Sequence, residues 1–320
     1  MSEIAVLSNP SSGSNRTRAR RRMLRDLRAL TRQASIDHVT PPSASDLPAA
    51  LERLATSAPR LLAIDGGDGT VVAVVTALRC HKPFQREPML AVLPGGSTNM
   101  IARDLGSTGR PAGTLRRLLD RWEPTGGTVD TATRQPLLVQ RTGKPPCYGF
   151  FLGGGAIPRI TTAARQDLYG RGISGPLAWS LTLGWSLWRL SQGRSRDDPR
   201  FRPVGIGIAC DDDAVETRAR LVVAVTTLDR LLLGLRPLPP GAGPGVAVVN
   251  APATRLWRRI PGLLRRRWPA GLSGQLGQRR CRSVELTGPE GWVLDGETVE
   301  VPDDGRLTVQ ADAPLSFVVA

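Results

Sequence analysis

Over its first 130 residues the chain alternates short apolar runs with longer segments of helical periodicity. The apolar runs have the length of strands, and the longer segments repeat leucine or methionine every three or four residues. This alternation is typical of a parallel sheet whose strands are joined by helices. It predicts strands at 4–7, 36–39, 61–64 and 89–93, helices at 16–30 and 45–55, and further helices after the loops that follow 64 and 93.

From residue 131 onward the pattern changes to short apolar runs separated by turn residues, which predicts an antiparallel β-sandwich. The predicted strands are 137–140, 148–152, 204–209, 221–226, 246–249, 283–286 and 291–294. A stretch at 161–191 has helical periodicity and predicts a helical insertion. We therefore predict an α/β nucleotide-binding domain at 1–130, onto which residues 305–320 could pack back, and a β-rich domain at 131–304.

The most informative loop follows the apolar run 61–64 and reads Gly-Gly-Asp-Gly-Thr at 66–70. Its glycines allow positive φ and close backbone approach, Thr70 can cap the following helix, and the free N–H groups of the first turn can bind phosphate. Because Asp68 cannot itself attract a phosphate, it is predicted to hold magnesium or a network of donors beside the nucleotide. The alternative is a glycine-rich turn between a strand and a helix, without a ligand.

Three other predicted strands end in loops with hydroxyl or amide side chains. Asn9 and Ser12 follow the first strand, Thr40 the second, and Ser97 and Asn99 the strand at 89–93. Since the carboxyl ends of parallel strands meet at one edge of a sheet, these side chains are predicted to converge with the glycine-rich loop on one nucleotide. Taken singly, each residue is explained equally well as a cap or an Asx turn.

A pair of carboxylates near the end of the chain could supply a general base. Asp295 and Glu297 flank Gly296 after an apolar run. If the segment is extended, both side chains fall on one face, and one carboxylate raises the proton affinity of the other. Phosphoryl transfer to an alcohol needs such a group to accept the hydroxyl proton. The alternative is an acidic hairpin tip with Gly296 at the turn.

Together these motifs resemble the catalytic domain of the diacylglycerol kinase family, which includes sphingosine and ceramide kinases. The resemblance lies in Asn-Pro-x-Ser-Gly at 9–13, Gly-Gly-Asp-Gly-Thr at 66–70, Pro-x-Gly-Ser-x-Asn at 94–99 and Asp-Gly-Glu at 295–297. It implies a nucleotide domain with the fold of phosphofructokinase and NAD kinases, then a β-rich domain, with ATP and Mg²⁺ bound between them. The glycine-rich motif alone is shared with NAD kinases.

The resemblance and the loop pattern together give the predicted site. The ATP-binding residues are Asn9, Ser12, Gly13, Thr40, Gly66, Gly67, Asp68, Gly69, Thr70, Gly96, Ser97 and Asn99. The catalytic residues are Asp295 as base, Glu297 as its partner, and Asp68, which is also the candidate metal residue through Mg-ATP. The chain departs from the family pattern at Ala73, Thr76, Met100 and Pro244, and the last departure removes part of an accessory magnesium site.

The charge balance favours an anionic partner. Lysine plus arginine exceeds aspartate plus glutamate by 43 to 28, a net charge of +15. Nucleic acid, an acidic membrane surface and a phosphorylated ligand all suit this balance, but no zinc finger, RNP aromatic pair or basic repeat supports nucleic acid. Residues 254–270 interleave arginine with tryptophan and leucine, which predicts a membrane contact or, alternatively, a solvated basic face. The predicted contact residues are Trp257, Arg265, Arg266, Arg267 and Trp268.

Two further features bear on location. No apolar run reaches the roughly 18 to 20 residues that span a bilayer, and no signal peptide is visible, so we expect a cytoplasmic protein held peripherally at the inner membrane face. Four cysteines lie far apart in or beside apolar segments and are predicted to be reduced core residues: Cys80, Cys147, Cys210 and Cys281.

The sequence therefore predicts a lipid kinase that transfers the γ-phosphate of ATP to the hydroxyl of a diacylglycerol-like or sphingoid lipid. The alternatives are a kinase of a soluble alcohol such as NAD, and a non-catalytic protein that binds a nucleotide or nucleic acid.

Overall fold

The computed structural model describes residues 3–10, 12, 18–96, 98–122, 129–169, 199–231, 234–236, 238–239, 241–252, 269–288 and 291–319. The chain divides into two compact units. The first comprises Met1–Arg134 and Pro314–Ala320, and the second comprises Gln135–Ala313.

The first unit is built on a six-stranded sheet. Its strands are β1 (Ile4–Ser8), β2 (Asp37–Val39), β3 (Leu61–Gly66), β4 (Met89–Pro94), β5 (Thr131–Arg134) and β17 (Leu315–Val318). The spatial order is β2-β1-β3-β4-β17-β5, and all neighbours are parallel except β17 and β5. The strand at the end of the chain thus returns to the sheet of the first unit.

In the described part of this unit the helices are α1 (Arg18–Gln33), α2 (Leu47–Ala55), α3 (Asp68–His81), α4 (Met100–Asp104) and α5 (Pro111–Arg121). Helices α1 and α5 pack on the sheet through their apolar stripes. Leu27 of α1 and Leu115 and Leu118 of α5 share one buried cluster with Val6 and Ala63 of the strands. The predicted nucleotide-type α/β fold is confirmed for this unit.

The second unit is an antiparallel sheet of eleven strands. They are β6 (Leu137–Arg141), β7 (Lys144–Gly149), β8 (Phe151–Gly155), β9 (Val204–Cys210), β10 (Glu216–Thr226), β11 (Gly245–Asn250), β12 (Leu276–Arg280), β13 (Ser283–Thr287), β14 (Trp292–Leu294), β15 (Glu297–Val299) and β16 (Arg306–Ala311). The strands join into one curled sheet around an apolar cluster that includes Leu152, Val223, Val248, Leu286 and Leu307. The predicted antiparallel second domain is confirmed.

Among the described residues, a helix follows β8 in the second unit. Helix α6 (Ala156–Tyr169) covers the start of the stretch predicted as a helical insertion at 161–191. The rest of that stretch lies outside the described residues.

The cysteine prediction is wrong in two respects. Cys210 and Cys281 form a disulfide, and Cys80 is exposed on α3 rather than buried. Cys210 ends β9 and Cys281 precedes β13, and these two strands are neighbours in the sheet although the cysteines are 71 residues apart in sequence. Spacing along the chain carries no signal of such a pairing.

In the part of the chain that the structure describes, no helix is both long enough and apolar enough to cross a membrane.

Candidate functional site

The candidate site is the group of loops that leave β1, β3 and β4. The register aligns Ser8 with Asp65 and Gly66 with Pro94, so the three strands end side by side. We call the loops 9–12, 67–70 and 95–99 the strand-end loops. The prediction that these three loops meet at one edge of the sheet is confirmed.

The two glycine-rich loops touch through their backbones. Gly95 N donates to Gly66 O at 3.0 Å, which joins the loops at their bases. A Cβ added to Gly96 would lie 2.3 Å from the Cα of Gly67, a distance that real atoms do not reach. Gly67 has a φ of −91°, and none of the described glycines of these loops has a positive φ. Close approach, and not positive φ, is therefore why Gly67 and Gly96 are glycines.

Asn9 and Ser12 tie the first loop to the other two. Asn9 Nδ2 donates to Thr70 Oγ1 at 2.9 Å, and the Ser12 hydroxyl, which is buried, donates to Gly95 O at 3.3 Å. Thr70 does not cap α3 as predicted, because Gly67 is the N-cap residue and Thr70 lies within the first turn. Its hydroxyl serves the contact with Asn9 instead.

Asn99 closes the third loop with its side-chain amide. Its Oδ1 accepts from Gly96 N, and its Nδ2 donates to Gly96 O, both at 2.9 Å. The residue has a φ of 48°, a left-handed conformation that asparagine tolerates better than most residues. Both ends of the amide are thus used to hold the loop.

Asp68 links the start of α3 to the start of α4. Its Oδ2 accepts from Met100 N at 3.0 Å, and its Oδ1 accepts from Ile101 N at 2.9 Å. Burial raises the pKa of this carboxyl, whereas the two N–H donors and the charge of Arg103 oppose that rise. Both oxygens of Asp68 are thus engaged by backbone donors, whereas its predicted roles beside a nucleotide or a metal stay predictions. Among the described residues, no group of three or more histidine, cysteine, aspartate and glutamate side chains could hold a metal ion.

Gly69 differs from the other glycines of the site. It is exposed in the first turn of α3, its φ is not positive, and a Cβ added there would meet no atom within 4 Å. Glycine inside a helix costs about 0.5–1 kcal/mol relative to alanine. No contact within the described protein explains why a glycine is used here despite this cost. The open space lies at the N-terminus of α3, and helix N-termini bind anions.

Thr40 lies just after β2, and its hydroxyl accepts from Arg28 Nη2 at 3.5 Å. The structure therefore gives it a contact with α1, and no hydrogen bond joins it to the described residues of the glycine-rich loops. Gly13 and Ser97 lie outside the described residues, as do the predicted membrane-contact residues Trp257, Arg265, Arg266, Arg267 and Trp268.

His38 is a polar residue of this edge to which the sequence assigned no role. Its Nε2 lies 2.9 Å from Ser8 Oγ, at the end of β1, and its Nδ1 lies 3.1 Å from Thr31 Oγ1. Thr31 Oγ1 donates to Arg28 O, so it accepts from the Nδ1–H of the ring and Nε2 accepts from Ser8. Burial and the nearby charge of Arg28 lower the pKa of His38 to about 4. The ring is therefore neutral at neutral pH.

The extended arrangement of Asp295 and Glu297 is wrong. Asp295 has a φ of 47° and Gly296 a φ of 97°, and Leu294 pairs with Glu297 across the turn. Asp-Gly therefore forms the two-residue tip of the β14–β15 hairpin, which is the alternative weighed from the sequence. This pair of residues favours the left-handed conformations that such a turn requires.

The carboxylate of Asp295 binds the neighbouring backbone at the point where β7 ends and β8 begins. Its Oδ2 accepts from Phe150 N at 2.7 Å, between β7 and β8, and its own N–H donates to Phe151 O at 2.8 Å. A Cβ added to Gly149 would lie 2.4 Å from the same Oδ2. Glu297 is exposed at the start of β15.

The departures from the family pattern have identifiable surroundings. Ala73 and Thr76 are half-buried on α3, and Met100 donates its N–H to Asp68. Pro244 O accepts from Cys281 N at 3.0 Å, and a Cβ added to Gly245 would lie 2.3 Å from Leu238 Cδ1. Pro244 and Gly245 are thus part of the packing of the second unit.

The fold and the loops define a protein with a nucleotide-type α/β unit, an antiparallel β unit and a glycine-lined group of loops at one sheet edge. Residues 3–128 match the family model described as the diacylglycerol kinase catalytic domain. This match confirms the resemblance over that part of the chain.

Solved structures share the fold over nearly the whole chain. One is a putative diacylglycerol kinase from Bacillus anthracis str. Sterne, with a TM-score of 0.64 and 15% sequence identity, and the alignment covers 99% of this chain and 96% of that chain. Another diacylglycerol kinase from the same organism has a TM-score of 0.61 and 14% identity, with the same coverage. At these identities the likeness shows the fold alone. Among curated proteins, none matches the chain by sequence.

Proposed function

We propose that the protein is a lipid kinase that transfers the γ-phosphate of ATP to the hydroxyl of a diacylglycerol-like or sphingoid lipid. The match of residues 3–128 to the diacylglycerol kinase catalytic domain supports the kinase class. The surroundings of Gly69 are the observation that supports ATP binding at the strand-end loops.

Three facts make Gly69 informative. The residue lies in the first turn of a helix of 14 residues, it has free space where a side chain would be, and its backbone conformation is open to any residue. A ligand that must approach the backbone closely would explain why no side chain is present. Phosphate groups fit this requirement, because they bind to the N–H groups of a helix start and gain from the helix dipole.

The other strand-end loops support the same function by positioning this helix start. Asn9 fixes Thr70, and Asp68 connects α3 to the start of α4. The hydrogen bonds among the loops hold the α3 terminus in one place. In phosphoryl transfer such preorganisation matters, since catalysis consists largely of positioning and charge stabilisation.

Magnesium fits this proposal as the ion that accompanies ATP. It would neutralise charge on the phosphates during transfer. Asp68 is the candidate residue nearest the α3 start, but both of its oxygens accept backbone N–H groups. We therefore assign Asp68 first to loop positioning and second to the metal.

Asp295 is the proposed base, with Glu297 as its partner. The hydrogen bond from Phe150 N gives the Asp295 carboxylate a fixed orientation, which a base requires. In the reaction the carboxylate would accept the proton of the lipid hydroxyl as the oxygen bonds to the γ-phosphorus and ADP leaves. Since the lipid would be drawn from a bilayer, we also propose peripheral association with an anionic membrane surface on the cytoplasmic side.

The direct test is transfer of labelled phosphate from ATP to a panel of diacylglycerol, ceramide, sphingosine, phosphatidylglycerol and NAD, with lipid-free controls. Label on one or more of the first three lipids is the expected result. Label on NAD alone would replace the proposal by a kinase of a soluble alcohol. Nucleotide binding without transfer to any acceptor would indicate a non-catalytic binder.

A further inference from the structure

Helix α1 carries a line of arginines on one side. Arg21, Arg25, Arg28 and Arg32 are all exposed, and their spacing of four, three and four residues places them on one face of the helix. With a rise of 1.5 Å per residue the line is about 16 Å long. We call these four residues the arginine stripe.

The fold gives no reason for the stripe. The core side of α1 is made by Leu24, Leu27 and Thr31, which are buried, and the arginines lie away from it. Like charges four residues apart destabilise a helix. Within the described ranges, no ion pair joins a stripe arginine to a carboxylate, and Arg28 is the one stripe residue whose guanidinium has a hydrogen bond, to Thr40. A line of cations that weakens its own helix suggests an anionic partner outside the fold.

The position of the stripe leaves it open to such a partner. Strand β2 is at the edge of the six-stranded sheet, and Arg28 reaches Thr40 just beyond the end of that strand. The stripe therefore follows the flank of the first unit beside the edge strand, where no further strand of the sheet lies.

We propose that the arginine stripe is an electrostatic contact for the surface of an anionic lipid bilayer, an assignment that rests on the proposed lipid kinase function. A straight row of exposed cations fits a flat surface of phosphate groups, and basic residues near such a surface each add to the affinity. The contact is superficial. Among the described residues of the first unit no large apolar side chain is exposed, so this unit offers none beside the stripe for insertion into the bilayer.

Nucleic acid is the competing anion and is less well suited. Binding to a single strand uses exposed aromatic side chains as stacking platforms, and the described residues include no exposed tryptophan, tyrosine or phenylalanine. In a duplex, arginine reads guanine, but the stripe offers no asparagine, glutamine or carboxylate side chain to read adenine or cytosine.

The test compares two triple variants of the full chain in sedimentation with vesicles. The first is Arg21→Gln, Arg25→Gln and Arg32→Gln, which leaves Arg28 and its contact with Thr40 in place. The matched control is Arg53→Gln, Arg86→Gln and Arg116→Gln, which removes the same charge from exposed positions elsewhere on the first unit. Glutamine keeps the helix propensity of arginine, so both variants should fold, as thermal melting will check.

The expected result is binding of the wild type to vesicles of phosphatidylcholine mixed with phosphatidylglycerol, and none to phosphatidylcholine alone. This binding should weaken when salt rises above about 0.1 M, where charges are screened over roughly 10 Å. The stripe variant should lose roughly a hundredfold in affinity, since three arginines near the surface each contribute a factor of roughly five, while the control loses markedly less.

Three results would overturn the inference. They are equal losses in the two variants, vesicle binding that does not respond to salt, and stripe-dependent binding to duplex DNA without vesicle binding.

Kinase assays distinguish a failure of the membrane contact from a failure of the proposed kinase function. If the protein binds vesicles through the stripe but phosphorylates no lipid, the membrane contact stands and the proposed kinase function is wrong. Transfer to a water-dispersed short-chain diacylglycerol by both variants, with loss on vesicles in the stripe variant alone, would support both.

Discussion

Asp68 and Asp295 have the same local chemistry in different surroundings. Each carboxylate accepts backbone N–H groups from another segment, Asp68 from Met100 and Ile101, and Asp295 from Phe150. Asp68 lies among loops that leave open space at the start of α3. Asp295 lies at a hairpin tip and binds the backbone where β7 ends and β8 begins. An aspartate in a glycine-containing motif therefore does not reveal its role until its neighbours are known.

The comparison also separates two uses of glycine. Gly67 and Gly96 are glycines because the loops touch, and Gly296 because the hairpin tip requires a positive φ. Gly69 has neither reason. The proposed function rests on this difference, and the variants below are chosen to break it or to sharpen it.

The largest effect is expected at the hairpin tip. Asp295→Asn should lower the turnover number by about a hundredfold or more, the scale of general-base removal, with little change in melting temperature. Asparagine adopts the left-handed conformation of the turn and its carbonyl can still accept the Phe150 N–H, so the fold is preserved. Steady-state kinetics on the lipid that accepts phosphate gives the measurement.

Glu297→Gln is the matched variant on the other side of Gly296. Glu297 is exposed, so its charge is screened, and we expect a smaller loss of about tenfold or less. If Asp295→Asn keeps full turnover, the hairpin is structural and the base lies elsewhere.

Asp68→Ala should affect both stability and activity. It leaves the first N–H groups of α4 without their acceptor, which should lower the free energy of unfolding by about 1–2 kcal/mol, the usual cost of losing such a cap. Turnover should fall as well, because the loops lose their connection. Denaturant unfolding and a kinase assay measure the two effects. A variant of unchanged stability would show that these hydrogen bonds are dispensable.

His38 should make stability depend on pH. Its pKa is lowered to about 4 in the fold, against 6.5 for the free side chain, so between these values the unfolded chain binds more protons than the folded one. Stability should therefore decline as pH falls from 6.5 toward 4, by on the order of 1 kcal/mol after allowance for the partial exposure of the ring. Unfolding of the wild type and of His38→Gln across this range tests the point. Parallel pH profiles for the two proteins would exclude the histidine as the source.

Much of the fold follows from patterns that act locally. The apolar runs that end in loops gave the first four strands, and the parallel order brought Asn9, Ser12 and Asn99 to one edge. Contacts between distant segments had no such signal. The pairing of Cys210 with Cys281 depends on the neighbouring positions of β9 and β13, which no spacing reveals.

The conformation of the catalytic candidates shows the same limit. The Asp-Gly pair at 295–296 was compatible with both a strand and a hairpin tip, and the pairing of Leu294 with Glu297 decided between them. The acceptor role of Asp68 required α4 to begin beside it, and the neutral state of His38 required Ser8, Thr31 and Arg28 around it.

The most direct test of the central claim is the affinity for ATP of Gly69→Ala, measured by calorimetry beside its thermal stability. Our account predicts a more stable protein, by about 0.5–1 kcal/mol, that binds ATP at least about tenfold more weakly, because the methyl group suits the helix and occupies the space for phosphate. Gly96→Ala is the control, and should destabilise the fold by about 1–3 kcal/mol because its Cβ meets Gly67. Unchanged ATP affinity in a stabilised Gly69→Ala would contradict the account, because the open helix start would then not be where the nucleotide binds.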